Sequence, residues 1–126
     1  MPKQSSRILA VVDDLFFVVK ISDTAKRAGL VCEFVKSAEA ALEKAKAERP
    51  LMVIVDLNSR SVNAVDLIAK LRAAEELKGL SVIGFVSHVE GELKQRAQDA
   101  GAMVLARSAF STNLPQLMKR HSGSPL

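Results

Sequence analysis

The chain contains no Trp and no Tyr, and its only aromatic residues are five Phe among 126 residues. A core of that length must then be filled mainly by Val, Leu, Ile and Ala. Cysteine occurs once, as Cys32, which excludes an internal disulfide. Set in the apolar stretch LVCEFV, Cys32 reads as an inert, mostly buried thiol. No apolar run approaches the roughly 18 residues that a membrane helix needs, and the opening MPKQSSR lacks the apolar segment of a secretory signal. Both features favour a cytoplasmic protein with no membrane partner. The charge excess is small, 18 basic against 14 acidic residues for a net +4. Apart from the cluster Lys119 to His121, the basic residues are scattered. Non-specific nucleic-acid binding calls for a basic stripe, so nucleic acid is not an expected partner.

What is present fits one compact domain. Hydrophobic residues make up 48% and charged residues 25% of the chain, the balance of an ordinary globular protein with a real core. Five apolar runs, RILAVV (7–12), LVCEFV (30–35), LMVIV (51–55), SVIGFV (81–86) and AMVLA (102–106), read as strands. Four are almost continuously hydrophobic, as parallel strands covered on both faces are. Helical spacing fills the gaps. Val18, Ile21, Ala25 and Ala28 share one face of a first helix ended by Gly29. Ser37 caps a second, which Pro50 stops. Val65, Ile68 and Leu71 stripe a third helix that ends near Gly79, and Leu93, Ala97 and Ala100 a fourth. A short fifth helix is expected to begin around Asn113 and Pro115, where proline suits a first turn. This alternation predicts an α/β fold, a parallel sheet with helices on both faces. The single domain 1–126 has its core at about 7–120 and a frayed tail from 121 to 126.

Two strands end in acid, AVVDD at Asp13 and Asp14 and MVIVD at Asp56. In a doubly wound sheet, sites form at the carboxyl ends of strands near the point where strand order reverses. If the two strands are neighbours, three carboxylates meet at one edge and raise one another's proton affinity. A divalent metal relieves that conflict, and an all-oxygen site suits Mg²⁺. An Asp carboxylate beside such a metal can act as a nucleophile toward a phosphoryl group. On this reading Asp56 lies exposed at a strand end because it belongs to the site. The other reading makes all three ordinary turn acids.

ILAVVDD, GLVCEFVKSAEAAL, LMVIVDLN, LIAKLR and AQDAGAMVLARSAF, in that order, resemble the receiver domain of two-component response regulators across about residues 7 to 120. The resemblance implies a flavodoxin-like, five-stranded doubly wound domain of strand order 2-1-3-4-5. It implies Asp56 as phosphoacceptor, Asp13 and Asp14 as the acidic pair, and weakly bound Mg²⁺ held by Asp13, Asp14, Asp56 and the backbone carbonyl of Asn58. It further implies a two-state response of the face made by the fourth helix, fifth strand and fifth helix. The partner would be a histidine kinase or another signalling protein.

Several positions depart from the family pattern. Laid without gaps from Gly101 and Ala102, the closing motif puts Leu105 in the aromatic switch slot, Ser108 in the lysine slot and Ala109 in the proline slot, while Phe110 matches. Arg107 is adjacent. A one-residue slip of the strand end would bring it into the site, but alternation along a strand favours an exposed arginine there. With alanine after Ser108, a trans peptide bond is expected. Ser87 falls where the family has Ser or Thr, and its hydroxyl either binds a phosphoryl oxygen or caps a helix in the box SHVE, with Glu90 reaching back. His88, bulky where the family is small, reads as a loop residue. NSRSVNA replaces the usual loop after the phosphoacceptor, with Asn63 and Ala64 in place of Asp-Gly. In DDLFFVV, Phe17 and Val18 face the core, whereas Phe16 and Val19 fall on the outer side of the first helix. An apolar pair beside the acids suggests a partner surface or a homodimer contact. Together these features predict a receiver-like module, not an enzyme, with altered readout of phosphorylation. The alternatives are a pseudo-receiver acting by protein contacts alone and a Mg²⁺-dependent phosphohydrolase using Asp56.

Overall fold

The computed structural model describes residues 7–87 and 91–121, with the side chain of His121 excepted. Helices and strands alternate: β1 (Arg7–Val11), α1 (Leu15–Arg27), β2 (Val31–Phe34), α2 (Ala38–Ala47), β3 (Met52–Asp56), α3 (Ala64–Ala73), β4 (Ser81–Val86), α4 (Gly91–Ala100), β5 (Met103–Ala106) and α5 (Arg107–His121). The strands form one parallel sheet of order β2-β1-β3-β4-β5. The order reverses between β1 and β3, which pair with Val11 opposite Val55. The carboxyl ends of these two strands therefore lie side by side, and the residues that follow them, Asp13 and Asp14, come near Asp56.

Alternation along each strand divides the core in two. Leu9, Val11, Val53, Val55 and Val82 pack with α2, α3 and α4 through Ala41, Ala45, Leu67, Ile68, Leu71 and Ala97. Ile8, Ala10, Met52, Ile54, Ile83 and Phe85 pack with α1 and α5. The core is aliphatic as expected, with one aromatic exception. Phe17, Phe85 and Phe110 form a stack on the α1–α5 side, their ring centroids 4.6 and 4.5 Å apart in sequence.

Local signals in the chain place the helix ends. The side chains of Asp14, Ser37 and Asn63 accept backbone N–H bonds at the starts of α1, α2 and α3, each satisfying a donor the helix leaves unpaired. Gly29, with φ of 76°, turns the chain after α1, and the Leu30 N–H donates back to the Ala25 carbonyl. Cys32 is half-buried, and burial pushes its thiol up to about 12. It is therefore unreactive near neutral pH, as its surroundings suggested.

Two helices differ from the sequence expectation. α3 stops at Ala73, and a single 3₁₀ turn, Glu75–Leu77, covers the remaining distance to Gly79, burying Leu77. α5 begins at Arg107, directly after β5, and not near Asn113, so Pro115 lies inside it. An interior proline costs about 3 kcal/mol through its missing N–H and its clash with the preceding turn. Phe110, Leu114, Leu117 and Met118 are buried at helical spacing, and each contributes about 1.5–3 kcal/mol. Burial outweighs the proline. The Ser108–Ala109 bond is trans, since the described residues contain no cis peptide. α5 also carries helix to residue 121, where a frayed tail was expected; residues 122–126 lie outside the described residues.

Candidate functional site

β3 runs one residue further than its apolar run, so Asp56 is the last residue of the strand and pairs with Phe85 of β4. Its side chain is not exposed at a strand end, as first expected, but buried, with 3% of the residue accessible. One oxygen, Oδ1, accepts the backbone N–H of Asn58 at 2.9 Å. Burial raises the proton affinity of this carboxyl above its ordinary value, and the negative charges of Asp13 and Asp14 add to it. The Asn58 N–H and the charge of Arg107 pull the other way without cancelling the effect.

Asp14 caps α1, with Oδ1 accepting the Phe16 N–H at 2.8 Å. Asp13 faces the loop after β3. Ser59 Oγ donates to its Oδ2 at 3.0 Å, Ser61 Oγ lies 3.2 Å from both carboxylate oxygens, and the Arg60 N–H donates at 3.2 Å. Burial works to raise the Asp13 carboxyl, but these bonds outweigh it and hold the group below the usual carboxylate range. Asn58 ties the same loop to β4, its Oδ1 accepting the Ser87 N–H at 3.0 Å. Neither the serine clasp on Asp13 nor the amide link at Asn58 was anticipated. The signal for both was NSRS itself, a run of short polar side chains that bond to nearby backbone and carboxylates.

At the far side of the cluster, Arg107 opens α5 and turns toward the acids. Its Nη2 lies 3.8 Å from Asp14 Oδ2, and its Cζ sits 5.5 Å from the centroid of the Phe17 ring. Alternation had favoured an outward arginine. It does not apply, because β5 ends at Ala106 and residue 107 already has helical backbone. Ser108, in the lysine slot of the gap-free alignment, is exposed. Leu105 is half-buried against the α1–α5 core. Ser87 is half-buried; its suggested capping partner Glu90, and His88, lie outside the described residues. Leu15, Phe16 and Val19 are exposed at 76%, 64% and 66%. They form an apolar margin on α1 beside Asp14.

Among the described residues no three acidic, His or Cys side chains converge into a ready-made metal site. The donor chemistry nonetheless suits a hard divalent cation. Asp13 and Asp14 both raise the proton affinity of Asp56, a mutual repulsion that a cation relieves. Asp13 would have to exchange its serine bonds for the metal, and weak binding follows.

Neither a scan against protein-family models nor a search of curated proteins finds a match. Comparison with solved structures does. The receiver domain of a sensor histidine kinase from Pseudomonas aeruginosa, with magnesium coordinated in its active-site cleft, has a TM-score of 0.80 at 19% identity, over 96% of this chain and 100% of that one. A chemotaxis response regulator of Vibrio cholerae has a TM-score of 0.78 at 23% identity, over 94% and 99%. The phosphorylated cyanobacterial phytochrome response regulator RcpA has a TM-score of 0.75 at 20% identity, over 93% and 91%. The chain thus has the CheY-like, flavodoxin-like receiver fold.

Proposed function

We propose that this chain is a receiver domain of a two-component or phosphorelay pathway and that Asp56 accepts the phosphoryl group. The observation that carries the reading is the position of Asp56, a carboxylate with raised proton affinity at the carboxyl end of the central strand, flanked by Asp13 and Asp14. Its free oxygen attacks the phosphorus of a phosphohistidine on a partner kinase. The P–N bond breaks, its electrons go to the imidazole nitrogen, and an acyl phosphate remains on Asp56. Oδ1 is held by the Asn58 N–H, which directs the other oxygen to the reaction. Mg²⁺, held by Asp13, Asp14, Asp56 and the Asn58 carbonyl, would neutralise charge on the transferring group.

Receiver domains generally act as signalling modules, and the phosphohydrolase alternative lacks support here. Asn58, two residues after the nucleophile, cannot serve as a general acid, and its amide oxygen is engaged by the Ser87 N–H. The partner surface is the margin of Phe16 and Val19 on α1, and a second copy of the chain is its other candidate occupant. A cytoplasmic setting accords with the absence of any membrane-length apolar helix among the described residues.

Incubation with Mg²⁺ and acetyl phosphate, followed by intact mass, tests the reading. A single phosphoryl adduct is expected, absent in Asp56→Asn. Its absence from the native protein, together with unchanged amide signals on adding beryllofluoride, would favour a pseudo-receiver, a reading that the Leu105 and Ser108 replacements support.

A further inference from the structure

Toward the described residues, the Arg107 guanidinium leaves most of its hydrogen-bonding capacity unspent. It lies across Phe17, and its one ion pair among the described residues, to Asp14, is 3.8 Å long, well beyond the roughly 2.7–2.9 Å of a charge-assisted hydrogen bond. Its Nε is buried and has no hydrogen-bond partner among the described residues. Arginine offers five donors in a planar fork that matches phosphoryl oxygens. Phe17 is itself fixed in the stack with Phe85 and Phe110, so the ring is a rigid shelf under the cation. A cation so placed neutralises part of the acidic cluster as a metal does, and it adjoins the same carboxylates.

From these contacts we propose that Arg107 is a built-in cation that shares Asp14 with the divalent metal in the unmodified protein and transfers to the phosphoryl oxygens once Asp56 is modified. The inference rests on Asp56 as phosphoacceptor. It gives to Arg107, adjacent to the lysine slot, the charge that Ser108 does not carry. The two roles oppose each other: the same side chain weakens metal binding before phosphorylation and strengthens anion binding after it.

Arg107→Met, which keeps a long apolar stem on Phe17, separates these effects, with Arg107→Lys as the charge-retaining control. Titration with MgCl₂ alone, followed by amide shifts, should show tighter binding in Arg107→Met, by about threefold or more. Beryllofluoride in saturating Mg²⁺ should bind that variant about tenfold more weakly, the size of effect expected for losing one charged contact. Arg107→Lys should fall between the native protein and Arg107→Met in both titrations. Equal or weaker Mg²⁺ binding in Arg107→Met would overturn the sharing of Asp14, and unchanged beryllofluoride binding would overturn the transfer. If the native protein itself fails to bind beryllofluoride, the phosphoacceptor reading falls and the inference falls with it. If inorganic phosphate binds Asp56→Asn as well as the native protein binds beryllofluoride, Arg107 serves a free anion and the transfer to Asp56 is overturned.

Discussion

Removing the two hydroxyls that hold Asp13, in the double variant Ser59→Ala/Ser61→Ala, should move stability and metal affinity in opposite directions. Both hydroxyls bond a carboxylate that is exposed to water. Hydrogen bonds to a charged group contribute about 1.5–3 kcal/mol when sheltered, and solvent screening reduces this to roughly 0.5–1 kcal/mol each. The loss of about 1–2 kcal/mol should lower Tm by about 3–10 °C for a domain of this size. Asp13 must surrender the same bonds to reach a cation, so freeing it should tighten Mg²⁺ by roughly five- to thirtyfold, tenfold per 1.4 kcal/mol. Thermal unfolding in EDTA reads the first effect and a Mg²⁺ titration by amide shifts reads the second. Saturating Mg²⁺ should also narrow the gap in Tm between variant and native protein. Weaker Mg²⁺ binding in the double variant would refute the reasoning, since the serines would then be presenting Asp13 to the metal and not withholding it.

Asp56→Asn should stabilise the metal-free protein at neutral pH. The folded-state pKa of Asp56 is raised, so its favourable contribution is complete below the unfolded pKa and is lost as pH rises through the folded one; equal stabilities at pH 7 by urea unfolding would contradict this. Glu33 behaves oppositely, because hydrogen bonds from Lys44 and Arg7 hold it below its ordinary 4.5. Its contribution is present above the unfolded pKa and lost as pH falls through the folded one, so Glu33→Gln should cost about 0.5–1 kcal/mol at neutral pH and nothing in strong acid, as pH-dependent melts would show. Pro115 is exposed inside α5, and Pro115→Ala should raise stability by about 1–3 kcal/mol. A lower Tm would mean that the helix is bent at the proline to fit the sheet.

The sheet was legible because its signals are dense. Each strand coincides with a mainly apolar run to within a residue or two, and a cap such as Ser37 acts within three residues of where it stands. α5 was misread because Pro115 is a strong local signal, whereas the opposing signal, Phe110 with Leu114, Leu117 and Met118, takes effect only once a sheet is there to bury it. The burial of Asp56 was misjudged for a related reason. An acid at the end of an apolar run marks the strand's limit in composition, but the hydrogen-bonded ladder carried β3 one residue past it.

The site divides along the same line. Asp13, Asp14 and Asp56 are readable because strand ends and strand order alone determine where they meet. The partners of those acids are not, because they depend on which way short segments turn. Asp13 lies 46 residues from Ser59, and nothing in the spacing says that the loop after β3 will fold back to it. Arg107 shows the limit most clearly. A residue's direction at a strand end follows alternation only while the chain remains extended. When the helix begins at once, as α5 does at Arg107, the first side chain is aimed by helical geometry instead. The gap-free alignment puts Ser108 in the lysine slot, but it could not determine which side chain would reach the acids. That was decided by the early start of α5 and by the Phe17 ring beneath the guanidinium. A charge moved by one residue can therefore serve the same cluster from a different backbone, provided that something rigid supports its stem.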